Sequence, residues 1–157
     1  MKVRLRELKL EMEGTMKWTA IARKYGYQTE SYQVETYDGY LLTLFRIPGK
    51  LQESPRIRPP VLLWHGMASS GVTWLLNGDN SPAFILAEEG YDVWMGNTRG
   101  NSFSRRHRKL DPDGDENEFW DFTFEKAGKF DISAAVFFIN KKTGMSVPYI
   151  GHSGGTT

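Results

Sequence analysis

The sequence predicts an α/β protein in which an antiparallel hairpin leads into parallel strands joined by crossover helices. Three observations carry that prediction. An Asp38-Gly39 pair separates two strand-like runs, short apolar runs recur at residues 61–64, 91–95 and 147–150, and helix-period segments lie between those runs. A strand, helix, strand, helix, strand order is accommodated by a mostly parallel sheet with helices packed on it.

Residues 3–25 carry two amphipathic stretches broken near Gly14, with Leu5, Leu8 and Met12 on one face and Trp18, Ile21 and Ala22 on another. That spacing predicts helical turns docked on the rest of the chain rather than on a membrane surface. The organisation expected is an N-terminal helical segment over residues 1–25 and one domain over residues 26–157. Residues 32–37 alternate like a half-buried strand and residues 40–46 read as its partner, with Asp38-Gly39 as a tight hairpin turn. A polar, proline-punctuated loop follows to Pro60.

The apolar run over residues 61–64 ends in His65-Gly66 and reads as a strand covered on both faces. Ser81-Pro82 predicts a helix start, with Phe84, Ile85 and Leu86 as its apolar side and Gly90 as its stop. Residues 91–95 form the next strand. Asp131 then reads as the cap of a helix whose Ile132, Ala135, Val136 and Ile139 recur at helical spacing, stopped by Gly144. Residues 147–150 supply the last strand, with Pro148 at its first ladder position, where a missing donor matters least.

Composition narrows the function classes. A length of 157 residues with 39% apolar residues suits one globular domain with a sizeable core. A net charge of +1 gives no reason to expect nucleic acid, and the basic run at residues 105–109 reads as a solvated loop, because an acidic stretch from Asp111 to Glu118 follows at once and can neutralise it. Zero cysteines exclude disulfides, thiolate nucleophiles and thiolate metal sites, and no metal or cofactor is expected. No stretch is apolar enough to span a membrane. The first residues lack the apolar core of a signal peptide, and none of the six asparagines lies in a glycosylation acceptor, so the compartment stays unassigned.

Gly151-His152-Ser153-Gly154-Gly155 is a G-x-S-x-G pentapeptide directly after the last strand. In such a pentapeptide a serine sits on a cramped turn, and Gly151 and Gly155 are the positions where larger side chains would collide. A second condition is an oxyanion donor from the loop after an earlier strand, which the loop at His65-Gly66-Met67 meets. His65 itself reads either as a packed loop histidine or as a residue shaping that donor loop, and not as a general base.

With these residues in place, the chain resembles the acid lipase family, comprising the gastric and lysosomal acid lipases and related sterol-ester and triacylglycerol hydrolases. The resemblance runs from about Gly26 to Thr157 and covers the N-terminal portion of such proteins. It is carried by Val34-Glu35-Thr36-Tyr37-Asp38-Gly39-Tyr40, Leu62-Leu63-Trp64-His65-Gly66, Trp94-Met95-Gly96-Asn97-Thr98-Arg99-Gly100-Asn101, Phe119-Trp120-Asp121-Phe122 and the pentapeptide. It implies an incomplete α/β-hydrolase fold ending at the nucleophile elbow, and a lipid ester as substrate.

Carried over by position, the resemblance implies Ser153 as nucleophile and the backbone N–H groups of Met67 and Gly154 as the oxyanion hole. The family commonly has glutamine at the position of Gly154. Asn97, Arg99 and Asn101 are expected to support loops, and Trp120 and Phe122 to line the core or cleft. In the family the acid and the histidine follow the serine, whereas His65, His107 and His152 all precede Ser153. Little or no turnover is therefore expected of these 157 residues alone. The alternatives are a noncatalytic half-hydrolase that folds with a protein partner completing the sheet, or a nonfunctional fragment. Relatives are largely secreted or lysosomal, with no matching export signal here.

Overall fold

The computed structural model describes residues 17–54 and 56–156. Six strands form one mixed sheet: β1 (Glu30–Glu35), β2 (Tyr40–Ile47), β3 (Pro60–Trp64), β4 (Asp92–Met95), β5 (Arg106–His107) and β6 (Tyr149–Gly151). Their order is β1-β2-β4-β3-β6, with β5 joining the far end of β2. β2 is antiparallel to β1 and β4, whereas β3 is parallel to both β4 and β6. This is the hairpin followed by parallel strands that the residue pattern predicts.

Period-two alternation divides the core. Phe45, Ile47, Val61, Leu63, Val93 and Met95 face one side, where α1 (residues 17–24) and α2 (Pro82–Glu88) cover them. Leu42, Leu44, Leu62, Trp64 and Trp94 face the other, covered by Ala135 and Ile139 of α4 (Ser133–Thr143). Trp18 and Ala22 are fully buried, and Trp18 stacks on Phe45 with ring centroids 4.4 Å apart. Such a pair adds about 0.5–1.5 kcal/mol beyond its buried area. The expected faces through Leu5, Leu8 and Met12 lie outside the described residues.

Several expectations need correction. The hairpin closes with Glu35 opposite Leu41, and the Thr36 carbonyl accepts from Gly39 N–H at 3.0 Å. Gly39 alone in this loop takes positive φ, at +95°, so the connection is a turn plus a glycine rather than a two-residue Asp-Gly turn. Arg106 and His107 belong to a short strand, not to a solvated loop, while Arg105 pairs with Asp113 at 2.6 Å as the charge pattern suggests. Ser81 stands at the cap of α2, but its hydroxyl bonds Gly78 O, and Ile85 points out. Val147 and Pro148 precede β6, and Pro148 contributes only its carbonyl, to Leu62 N–H at 2.9 Å.

Asp131 is not a cap. Thr123 caps α3 (Phe124–Ala127), accepting from Lys126 N–H, and a π-helical stretch at Gly128–Ile132 carries the chain into α4. Within that stretch Asp131 is fully buried, accepting from the Arg99 backbone N–H at 2.9 Å and from Arg99 Nε at 2.7 Å. The same guanidinium forks onto Asp38 at 2.6 and 2.9 Å and lies 4.0 Å over the Tyr40 ring. A capping interpretation fits the local sequence, but the cation that claims this carboxylate sits 32 residues away.

This buried ion triad ties the loop after β4 to the hairpin and to the helix before β6. Burial pushes the Asp131 carboxyl up to about 6, even though Arg99 pulls it down. Arg99→Leu should cost about 3–5 kcal/mol near neutral pH, measured by urea unfolding, because it leaves an uncompensated buried carboxylate. A carboxyl raised by burial favours the folded state once protonated, so the loss should shrink as the pH is lowered.

Candidate active site

The site is built where two parallel strands end side by side. In the β3–β6 pairing, Leu62 faces Tyr149, Leu63 faces Ile150 and Trp64 faces Gly151. His152 N–H then donates to Trp64 O at 3.1 Å, one step past the ladder. The His65-Gly66-Met67 loop and the Ser153 turn are thereby neighbours: a Cβ placed on Gly66 would lie 3.0 Å from Ser153 Cβ, and one on Gly154 would lie 3.2 Å from Met67 N.

Ser153 is exposed, with φ +52°. Among the described residues, the other non-glycine with positive φ is Ala68, at +54° in the facing loop. Left-handed backbone costs an L-residue about 1–2 kcal/mol, so strain is concentrated in these two adjoining loops. Ser153–Thr156 then forms a single 3₁₀ turn, with Gly155 N–H donating to His152 O at 2.9 Å. The turn doubles back tightly: a Cβ on Gly151 would sit 2.1 Å from Gly155 O, and a Cβ on Gly155 would sit 2.6 Å from Trp64 O. The Tyr149 hydroxyl also donates to Gly155 O.

A cavity of about 1010 Å³ opens beside the turn. Met67 and Gly154 border it, while Val72, Leu76, Phe103, Phe122, Phe124 and Ile132 make much of its wall apolar. Phe122 thus takes the wall position suggested for it, and Trp120 is partly exposed nearby, within 2.7 Å of where a Cβ on Gly100 would stand. The contributions of Val72, Leu76 and Ile132 are not evident from the motif. Phe124, Ala127, Gly128 and Ile132 recur at helical spacing on the element crossing the cavity, which is the signal that marks this face.

The histidines occupy three different environments. His65 is buried, 4% exposed, with Nδ1 2.7 Å from Gly66 O and Nε2 3.1 Å from Thr98 N and 3.2 Å from Asn101 Nδ2. Burial holds its imidazole below the ordinary value of 6.5, opposed by the Gly66 carbonyl. His107 bonds Asp38 O at 2.8 Å, beside the hairpin. His152 is exposed, its ring 6.5 Å from that of Trp74. Among the described residues none of the three hydrogen-bonds the Ser153 hydroxyl. No group of three or more His, Cys, Asp or Glu side chains is placed to hold a metal among the described residues.

The asparagines of the loop after β4 brace the site. Asn97 is fully buried, accepting from Gly71 N–H at 2.9 Å and donating to Thr43 O at 2.9 Å. Asn101 Oδ1 accepts from the N–H groups of Phe103 and Ser104, leaving its amide nitrogen to face Asn97 Oδ1 and His65.

Comparison with known proteins agrees with this architecture. Residues 18–78 match the family described as the partial alpha/beta-hydrolase lipase region. The chain is 46% identical over 149 residues to gastric triacylglycerol lipase of Homo sapiens, covering 92% of this chain and 37% of that protein. It is 44% identical over 152 residues to human lysosomal acid lipase/cholesteryl ester hydrolase, covering 94% of this chain and 38% of that protein. The chain thus spans little more than a third of the length of these relatives. Esterase Pf2001 of Pyrococcus furiosus shares the fold with a TM-score of 0.56 at 18% identity, over 85% of this chain and 43% of that one. Esterase Est22 does so with a TM-score of 0.53 at 20% identity, over 92% and 42%. Sequence likeness along nearly its whole length, with part of an α/β-hydrolase sheet ending at a G-x-S-x-G turn, places this chain in the acid lipase family.

Proposed function

We propose that the chain supplies the nucleophile and oxyanion donors of a carboxylic ester hydrolase acting on lipid esters, triacylglycerols or sterol esters. The observation that carries this reading is the strained Ser153 turn packed against the Gly66-Met67 loop, where Met67 and Gly154 border an apolar cavity. In this reading Ser153 Oγ attacks the ester carbonyl, and the N–H groups of Met67 and Gly154 hold the resulting oxyanion. Gly151 and Gly155 support the elbow, because each meets a backbone oxygen where a side chain would stand. The cavity wall of Val72, Leu76, Phe124 and Ile132 suits an acyl chain.

The reaction needs a base to take the serine proton, and His65, His107 and His152 do not serve. The base and its orienting acid come from polypeptide outside these 157 residues, covalently continuous or supplied by a partner. The open edge of β6, where Tyr149 is 36% and Ile150 42% exposed, is the natural place for that polypeptide to pair.

The 157 residues alone should hydrolyse a short-chain nitrophenyl ester little faster than buffer. In a form that includes the base, Ser153→Ala should lower kcat/KM by about 10⁴-fold or more. Turnover at an ordinary rate that survives Ser153→Ala would refute the nucleophile assignment. On stability the two kinds of elbow residue should behave oppositely. Ser153→Gly should raise the unfolding free energy by about 1 kcal/mol while abolishing hydrolysis, since glycine relieves the positive φ. Gly151→Ala should lower it by about 1–3 kcal/mol, because the new methyl group meets Gly155 O. Thermal melts of the isolated chain check both.

A further inference from the structure

The loop after β3 holds a chain of hydrogen bonds that the proposed reaction leaves unused. Thr98 N–H and the Asn101 amide nitrogen can only donate, and both approach His65 Nε2, at 3.1 and 3.2 Å. Gly66 O can only accept, and it lies 2.7 Å from His65 Nδ1. The partners therefore assign the protons: Nε2 is bare, and Nδ1 carries the hydrogen that it donates to Gly66 O. Asn101 is held in that orientation, because its Oδ1 is occupied by the N–H groups of Phe103 and Ser104. Asn97 Oδ1 accepts from Asn101 at 3.1 Å and is itself anchored by Gly71 N–H.

Gly66 C=O and Met67 N–H are the two ends of one peptide unit, and no described peptide is cis. In a planar trans peptide they point in opposite directions. Fixing the carbonyl on His65 therefore aims the Met67 N–H the other way, on the side where Gly154 packs against Met67 N. A flip of that peptide would put a carbonyl oxygen where a donor is needed, repelling negative charge instead of holding it.

We infer that His65 is a positioning residue, locked as the Nδ1–H tautomer by Thr98 and Asn101, that orients the Gly66–Met67 peptide and so aims the Met67 N–H at the oxyanion. The inference rests on the donor role given to Met67 in the proposed reaction. An imidazolium is incompatible with the lock, since it would set an Nε2–H against the Thr98 N–H and the Asn101 amide, donor against donor. Burial, which holds this imidazole below its ordinary value of 6.5, keeps the lock closed into mildly acidic solution.

The test has one arm that needs no turnover and one that does. In the isolated chain, ¹⁵N-imidazole NMR of His65 should show a pyrrole-type Nδ1 and a pyridine-type Nε2, persisting when the pH is lowered past 6.5. The opposite tautomer, or an imidazolium at that pH, would overturn the lock. In the base-containing form, His65→Ala should lower kcat about a hundredfold, with KM changed less than about threefold. His65→Asn, which retains a side-chain donor near the Nδ1 position, should recover at least about tenfold of that loss. A histidine needed only for folding would instead lower the melting temperature without separating kcat from KM, and His65→Asn would recover none of the lost kcat. Unchanged kcat in His65→Ala, alongside loss of hydrolysis in Ser153→Ala, overturns the positioning role and leaves the nucleophile standing. Hydrolysis indifferent to Ser153→Ala overturns the nucleophile itself, whatever the tautomer.

Discussion

The parallel register that sets Trp64 opposite Gly151 is the constraint on which the candidate site depends. Parallel neighbours end at the same edge of a sheet, so the loops leaving β3 and β6 must meet there. A shift of one residue would turn Leu62 and Trp64 toward the opposite core and move Ser153 away from the Gly66–Met67 peptide. The register is held from both faces. Leu62 and Trp64 pack with Ala135 and Ile139, while Val61 and Leu63 pack with Ala83, Phe84 and Ala87. Burial of this kind contributes about 25 cal/mol per Å² of apolar surface, which outweighs the cost of left-handed backbone at Ser153 and Ala68.

Polar groups refine what apolar packing sets. Arg99 joins the hairpin through Asp38 to the helical segment through Asp131, and Asn97 and Asn101, from the same loop, reach the strand-end loop around His65. One connection after β4 thus carries both a buried ion triad and the amides bracing the donor loop. Being buried and paired, these groups gain specificity of arrangement, since every alternative would leave a polar atom unsatisfied.

Much of the sheet is legible in the sequence because its signals are local. The apolar runs at β3 and β4 and the glycines at 90 and 144 mark their elements without reference to the rest of the chain. The pentapeptide and His65-Gly66 mark the two loops, and the roles proposed for them follow the resemblance to acid lipases. What local reading misses is long-range. Asp131 stands at the start of a helical apolar pattern and looks like a cap, until an arginine from another loop pairs with it. Arg106 and His107 look like a charged loop, until the far end of β2 supplies a strand for them to pair with. The role of Asn101 toward His65 depends on a contact across 36 positions, which no spacing rule encodes.

The backbone angle at Ser153 in the isolated chain joins these levels, because it is set where the register brings the two loops together, permitted by the glycines and required by the nucleophile role proposed for Ser153. Backbone chemical shifts and the HN–Hα coupling of Ser153 report it. A φ close to +52° at Ser153 is the result expected. An extended or right-handed helical φ at Ser153, in a chain whose β3–β6 amides are protected, would contradict the site as built here.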